Sequence, residues 1–175
     1  MTVPSDAAES TDSADDAYTR LVSILDEAGA KYRVIEHEPE GRTDVVSGYR
    51  GHPVEQAAKC LVVMVKIGKR TSRYFLAVVP GDRRVDLNAL KALVEGTYVA
   101  FASTDRAEAL AGSVSGTILP FSFHPDLELV VDPDLTRHPE IYFNAARLDR
   151  SLALATEDYL RLANARISPI AAAAG

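Results

Sequence analysis

The chain has no tryptophan, two methionines and a single cysteine, Cys60. One thiol excludes an internal disulfide and any zinc site built from several cysteines. Long apolar runs are missing as well. The longest strictly apolar stretch, Cys60 to Val65, falls far short of the ~20 residues that cross a bilayer. The first residues are acidic and rich in serine and alanine, without the basic and apolar regions of a secretory leader. These absences lead us to expect a soluble, cytoplasmic protein with no membrane contact.

A basic excess is missing too. The 175 residues carry a formal charge of -6, but the charge is unevenly placed. Asp6, Glu9, Asp12, Asp15 and Asp16 stand within the first sixteen residues, unaccompanied by lysine or arginine, so the remainder is close to neutral. A near-neutral domain argues against a protein that coats nucleic acid generally. It leaves room for a local basic groove that holds one end of a nucleic acid. Residues 1–15, acidic and poor in apolar side chains, read as a disordered tail. Residues 16–168 read as one domain, and the alanine-rich 169–175 as a frayed end.

Familiar catalytic signatures are also lacking. Gly68-Lys69-Arg70-Thr71 mimics the end of a phosphate loop, but Val63 stands where the first glycine is required. Gly112-Ser113-Val114-Ser115-Gly116 has valine at the centre where a nucleophile elbow needs serine. His37, His52, His124 and His138 are scattered, and no metal site or cofactor is expected from them.

What is present is an alternation of short elements. Tyr18, Leu21, Val22 and Leu25 recur at helical spacing, with Gly29 as a terminator. A strand is expected from Lys31 to Glu36, then a long loop over 38–52, and a short helix opened by Pro53 through Ala58. Cys60–Ile67 and Tyr74–Val79 read as strands joined by the basic turn 66–73. Asp86 caps a helix that runs through Val94. Tyr98–Ala102 follows as a strand, and a helix from Thr104 or Asp105 to Leu110. Strands are expected near 117–119, 127–131, 141–144 and 151–155, and a last helix from Thr156 places Tyr159, Leu160 and Leu162 near one face. Short connections mixed with single helices indicate an α+β fold.

Two features are oddly placed. Lys59 immediately precedes the apolar run, where an ammonium must reach water or a partner. It is either a lysine snorkelling outward or a functional cation. Gly112-Ser-Val-Ser-Gly116-Thr-Ile-Leu-Pro120 has two glycines four apart and then a proline. Such a segment is either a tight turn or a loop that lets a ligand approach the backbone.

Taken together, these residues resemble the YbaK/ProX family of aminoacyl-tRNA deacylases, related to the editing domain of bacterial prolyl-tRNA synthetases, and within it the YeaK-like branch. The likeness rests on His37-Glu-Pro-Glu-Gly-Arg-Thr43, Gln56-Ala-Ala-Lys59-Cys-Leu-Val62, Leu76-Ala-Val-Val-Pro-Gly-Asp82, Gly116-Thr-Ile-Leu-Pro120-Phe-Ser-Phe-His-Pro125 and Phe143-Asn-Ala145, with Leu148-Asp-x-Ser151 and Asp158-Tyr-Leu160 completing it. It spans about residues 18 to 165. It implies a curved, largely antiparallel mixed sheet flanked by helices, and hydrolysis of the ester on a mischarged tRNA that carries a small amino acid. Lys59 then matches the family's functional lysine and Gly116 to Pro120 its Gly-x-x-x-Pro loop.

On that reading Lys59 acts as an ammonium on the carbonyl oxygen or a nearby phosphate. Gly116 and Pro120, with Ser115, Gly112, His37, Asp82 and Asn144, are candidates for holding the substrate or water. Cys60, next to Lys59 on a strand, points to the opposite face and reads as a core residue. Lys66, Lys69, Arg70, Arg73, Arg83 and Arg84 form either a groove for the tRNA acceptor end or a solvated turn. An aminoacyl-tRNA synthetase is a further possible partner. The competing readings are a non-catalytic tRNA- or synthetase-binding module and a hydrolase of another small ester. Ala146 and Ala111 depart from the family, which often has glycine and threonine there. The extra methyl of Ala146 either narrows the pocket or alters a backbone turn.

Overall fold

The computed structural model describes the backbone of residues 6–173 and the side chains of residues 16–173. Helix α1 (Asp6–Glu27) buries Leu21 and Leu25, as the helical spacing requires. It begins ten residues before the expected start and takes in residues 6–15, which composition alone assigns to a tail. Ala7, Ala8 and Glu9 are good helix formers by intrinsic propensity. Residues 1–5 lie outside the described part.

The strands form two sheets. Strand β1 (Tyr32–Glu36) pairs antiparallel with β7 (Arg150–Ala155), which pairs antiparallel with β6 (Glu140–Asn144). The second sheet has the order β4-β2-β3-β5-β8. Its centre is the hairpin of β2 (Ala58–Ile67) and β3 (Thr71–Pro80), flanked by antiparallel β4 (Tyr98–Phe101) and parallel β5 (Leu127–Val131), with β8 (Arg166–Ile167) outermost and parallel to β5. A single parallel bridge between Ala57 and Tyr142 links the two sheets. The fold is α+β with one antiparallel and one mixed sheet, where a single sheet was expected.

Strand β2 is apolar on both faces because both are covered. Ala58, Cys60 and Val62 face the main core with Phe143, Leu152 and Tyr159, whereas Val63 and Val65 face a smaller core under α3 (Leu87–Leu93). Asp86 caps α3 as expected, its carboxylate accepting from the Ala89 N–H at 3.1 Å. Helix α4 (Thr104–Ala111) starts at Thr104, as expected, and is capped by Ser103, whose hydroxyl accepts from the Arg106 N–H.

Several expectations are corrected. The loop over 38–52 contains an eight-residue helix, α2 (Thr43–Arg50), ended by Gly51 in the left-handed region at φ 77°. The helix expected after Pro53 is a single 3-10 turn, Val54–Gln56, because Ala58 already belongs to β2. Residues 117–119 are not a strand: the Thr117 hydroxyl and N–H both donate to the Val114 carbonyl, closing a turn in competition with any ladder. In α5 (Thr156–Ala163) Tyr159 is buried, but Leu160 faces outward.

Residues 169–172, expected to fray, are tied down. The buried Asp132 carboxylate accepts from the N–H groups of Ile170 (2.9 Å) and Ala171 (2.8 Å), and the Ile170 side chain fills the smaller core. Ala171 bridges Val85, and the Arg83 guanidinium donates to the carbonyls of Ala171 and Ala172. A carboxylate that pairs with backbone N–H groups anchors a segment whatever its side chains are, so composition does not reveal it.

Candidate active site

A cleft of about 230 Å³ opens where the two sheets meet. Its floor is the start of β2 (Ala57 to Leu61) and the end of β6 (Phe143, Asn144); its walls are α2 (Thr43, Val46, Arg50) and two glycine-bearing segments at Gly41 and Gly116. Strand β4 pairs with β2 only at Val63 to Lys66, so the edge of β2 from residue 58 to 61 faces the cleft without a neighbouring strand. The Val62 and Lys66 carbonyls accept from the β4 side, from Ala102 and Thr97 respectively. Backbone groups along a strand alternate in direction, so those of Cys60 point at the open edge.

Lys59 lines this cleft, half-buried. Among the described residues no carboxylate lies within ion-pair distance of it. Burial, and then the Arg84 charge, lower its pKa from the ordinary 10.5, with Asp82 opposing. Cys60 packs with the main core on the other face, and burial pushes its thiol pKa up, so it is a core residue and no nucleophile.

Gly116 and Asn144 both line the cleft. Gly116 sits at φ 90°, and a Cβ there would meet the Gly41 Cα at 3.2 Å, so the two segments touch backbone to backbone. Asn144 staples them: its Nδ2 donates to the carbonyls of Glu40 (3.0 Å) and Gly116 (2.8 Å). That fixes the amide orientation and leaves Oδ1 to accept from the Ser151 hydroxyl at 3.0 Å. His37 stands behind the wall and reaches the site through Ser151, 2.6 Å from its Nε2.

Other sequence candidates fall elsewhere. Gly112 is the left-handed residue that ends α4, beside a different hollow with Arg20 and Phe123. Ser115 is exposed, its N–H bound to Glu108 at 2.8 Å. Pro120 is buried, and its carbonyl accepts from the Tyr159 hydroxyl at 2.8 Å, which pins the loop to α5. Asp82 sits in the turn after β3, next to the lysine it influences.

The six basic candidates do not form one groove. Lys66, Lys69, Arg70 and Arg73 lie at the far end of the β2–β3 hairpin; seven residues of strand put Lys66 roughly 23 Å from Lys59. Arg73 is paired with Glu128 at 2.5 Å, and Arg83 with Asp134 at 2.9 Å. Arg84 alone of the six acts on Lys59.

Helix α2 supplies what the sequence reading missed. Arg50 lines the cleft, largely buried, and has no carboxylate partner among the described residues. Its Nε donates to His52 Nε2 (2.9 Å), Nη1 to Ser151 (3.2 Å) and Nη2 to Ser47 (3.4 Å). Burial lowers its pKa to about 10. His52 is itself fixed by the Pro53 carbonyl (2.7 Å) and by stacking on Tyr142 at 3.7 Å. The signals for α2 were a left-handed glycine, Gly51, directly after Arg50, and the adjacent Val45 and Val46 as an apolar face.

An α+β fold with a cation at an open strand edge and a backbone-lined wall defines a small-ligand site able to stabilise an oxyanion. The sequence comparisons agree with that class. Residues 37–162 match the aminoacyl-tRNA editing domain. The chain is 44% identical over 147 residues, 83% of its length and 87% of the relative's, to the multifunctional Ser/Thr-tRNA deacylase ProXp-y of Escherichia coli (strain K12). It is 25% identical over 154 residues to the prolyl-tRNA editing protein ProX of Acetoanaerobium sticklandii, covering 86% of this chain and 92% of that protein. The crystal structure of a putative trans-editing enzyme for prolyl tRNA synthetase shares the fold, with a TM-score of 0.72 at 23% identity over 90% of this chain and 98% of that one. A structure of a hypothetical protein reaches 0.77 at 20% identity, over 87% and 99%. The chain belongs to the aminoacyl-tRNA editing domain family.

Proposed function

We propose that this protein is a free-standing editing deacylase that hydrolyses the ester between a small amino acid and the terminal ribose of a mischarged tRNA. Serine and threonine are the first acyl groups to test, given the relative at 44% identity. The observation that carries the reading is Lys59, a half-buried ammonium without an ion-pair partner among the described residues, set in a cleft with an open backbone edge.

An aminoacyl ester is already reactive, so positioning and charge stabilisation are the chemistry required. Water attacks the carbonyl carbon, and the carbonyl oxygen becomes an oxyanion. The bond to the ribose oxygen then breaks, that oxygen takes up one proton of the attacking water, the other passes to solvent, and the amino acid leaves as its carboxylate. A desolvated ammonium gains most when an anion forms beside it, so Lys59 favours the transition state over the neutral ester. The Cys60 N–H at the open edge is placed to be a second donor. Gly116 and Gly41 bring main chain, not side chains, against the acyl group, while Asn144 holds the wall and His37 supports it from behind.

The acceptor end of the tRNA approaches from the Lys59 and Arg84 side, where Asp82 also acts on the lysine. Lys66, Lys69, Arg70 and Arg73 touch only a more distant part of the tRNA. The mischarged tRNA comes from a synthetase, which makes that enzyme a supplier of substrate and a candidate for direct contact.

Single-turnover deacylation of seryl- and threonyl-tRNA tests this reading, with Lys59→Ala and Lys59→Arg as variants. Loss of one oxyanion donor costs roughly 100- to 1,000-fold, so Lys59→Ala is expected to fall by that factor while Lys59→Arg retains part of the rate. Equal rates for wild type and Lys59→Ala overturn the site. No release from any mischarged tRNA by the wild type overturns the function.

A further inference from the structure

Five polar side chains line the cleft: Thr43, Arg50, Lys59, Cys60 and Asn144. Their donors are not equally available. Both Asn144 amide hydrogens are committed to the Glu40 and Gly116 carbonyls. Cys60 packs its thiol into the core. Lys59 stands with Asp82 and Arg84 around it, beside the open backbone edge where the ester is attacked.

Arg50 is different. A guanidinium has five N–H donors, and three of them are taken, by His52, Ser151 and Ser47. All three acceptors are neutral, so among the described residues two donors and an uncompensated charge remain in a partly desolvated setting. Its anchoring also fixes its depth. Ser151, which Arg50 grips, is fully buried and is the same hydroxyl that Asn144 accepts from, so the guanidinium sits over the floor of the cleft. Around it the lining is apolar, with Val46, Ile118 and Phe143.

We infer that Arg50 is the specificity-determining residue of this site, donating from its free N–H groups to the side-chain hydroxyl of the acyl group. The inference rests on the deacylase reading above and deepens it. A small apolar cleft admits small side chains but separates them poorly, because one methyl or hydroxyl difference in an apolar pocket is worth little. A site built around a buried donor separates them well: an acyl group without the hydroxyl leaves that donor unsatisfied while occupying its water space. Serine and threonine present an acceptor; alanine, of nearly the same size, does not. The α-ammonium of the substrate is repelled by Arg50 and therefore turns toward the Gly41 and Gly116 carbonyl side, which points the side chain at the floor. His52 is a positioning residue here, acting only through the Arg50 Nε.

The experiment compares seryl- and alanyl-ester hydrolysis on one and the same tRNA, in single turnover with the spontaneous rate subtracted, for wild type, Arg50→Met and Arg50→Lys. Methionine keeps much of the bulk and has no donor; lysine keeps the charge at a different reach. The wild type is expected to prefer the seryl ester. In Arg50→Met seryl hydrolysis is expected to fall about 30- to 100-fold and alanyl hydrolysis by less than threefold, so that the preference collapses. Arg50→Lys is expected to lie between the two. A parallel fall for both esters overturns the inference and assigns Arg50 to the nucleic-acid part of the substrate or to folding, as does an unchanged preference. Thermal melting of each variant separates those two outcomes. Absence of seryl and alanyl hydrolysis in the wild type is a failure of the deacylase reading itself, and is told apart by that control.

Discussion

Asn144→Ala is the substitution whose consequence follows most directly from the geometry. The amide makes three hydrogen bonds, two as donor to Glu40 and Gly116 and one as acceptor from Ser151, and it is 7% exposed. Each such bond contributes about 1 kcal/mol net, and a buried partner left unsatisfied costs about 1–3 kcal/mol. The Gly116 carbonyl, in a cleft-lining residue, regains water, while the Ser151 hydroxyl turns to His37, 2.6 Å away. The loss is therefore held to about 2–3 kcal/mol, which for a chain of this size lowers Tm by about 4–12 °C. The functional effect is larger than the structural one. Without the staple, the Gly41 and Gly116 segments, packed so closely that a Cβ added at Gly116 would meet the Gly41 Cα at 3.2 Å, are free to drift. A shift of about 1 Å at a reacting centre costs up to 100-fold. Differential scanning fluorimetry and single-turnover deacylation measure both effects. Asn144→Asp serves as the partner variant, because it keeps the shape and replaces both donors by an acceptor facing two carbonyls. If Asn144→Ala melts within 1 °C of wild type, or if Asn144→Asp behaves as wild type at pH 7, the staple does not hold the wall.

Two further outcomes are expected. Ala146 has φ 62° and is buried, and its methyl packs in the main core without lining the cleft. The extra methyl thus alters a backbone turn and does not narrow the pocket. Ala146→Gly removes left-handed strain of roughly 1–2 kcal/mol, of which about 1 kcal/mol is returned as unfolded-chain entropy. A Tm equal to wild type or a few degrees higher is expected, with unchanged acyl preference, and a clear fall in Tm contradicts the reading. His52 has its pKa lowered from 6.5, by burial first and by the Arg50 charge as well, against the Pro53 carbonyl. The unfolded imidazole therefore takes up a proton before the folded one, and stability falls as pH drops below about 6.5. Protonation also places an N–H on Nε2 against the Arg50 Nε–H, so serine preference is expected to weaken over the same range. Urea unfolding from pH 7.5 to 5 for wild type and His52→Asn checks this. An equal slope in both proteins refutes the assignment to His52.

The sequence was informative wherever side chains decide the structure. The β2–β3 hairpin was legible from two apolar runs around a basic turn, and α3 from the Asp86 cap that the Ala89 N–H confirms. The failures share a cause. Helix α2 is eight residues long and contains Gly48, so its periodicity is too short to stand out from a loop, and its stability comes from tertiary burial of Val46 and Ser47. The C-terminal segment is held by main-chain N–H groups on Asp132, and alanine does not encode that. The basic residues looked like one groove because sequence proximity hides strand length: Lys59 and Lys66 are seven apart in number and at opposite ends of β2.

The site shows the same division at finer scale. Lys59 could be singled out because an ammonium before a buried strand is conspicuous on its own. Arg50 was not conspicuous, since an arginine in a polar stretch is ordinary until its partners are known. What marks it is the absence of a carboxylate partner among the described residues, and that is a property of two strands and a helix converging. Ser151 on β7, Asn144 at the end of β6 and His52 after α2 are brought together by the β6–β7 register, in which Asn144 stands opposite Ser151. A single hydroxyl on the pairing partner of the stapling residue thus ties the cation on the floor to the glycine wall above it. Binding of the acyl group and shaping of the wall are mechanically one network, so substitutions at Ser151 are the ones in which loss of serine preference and loss of rate must appear together.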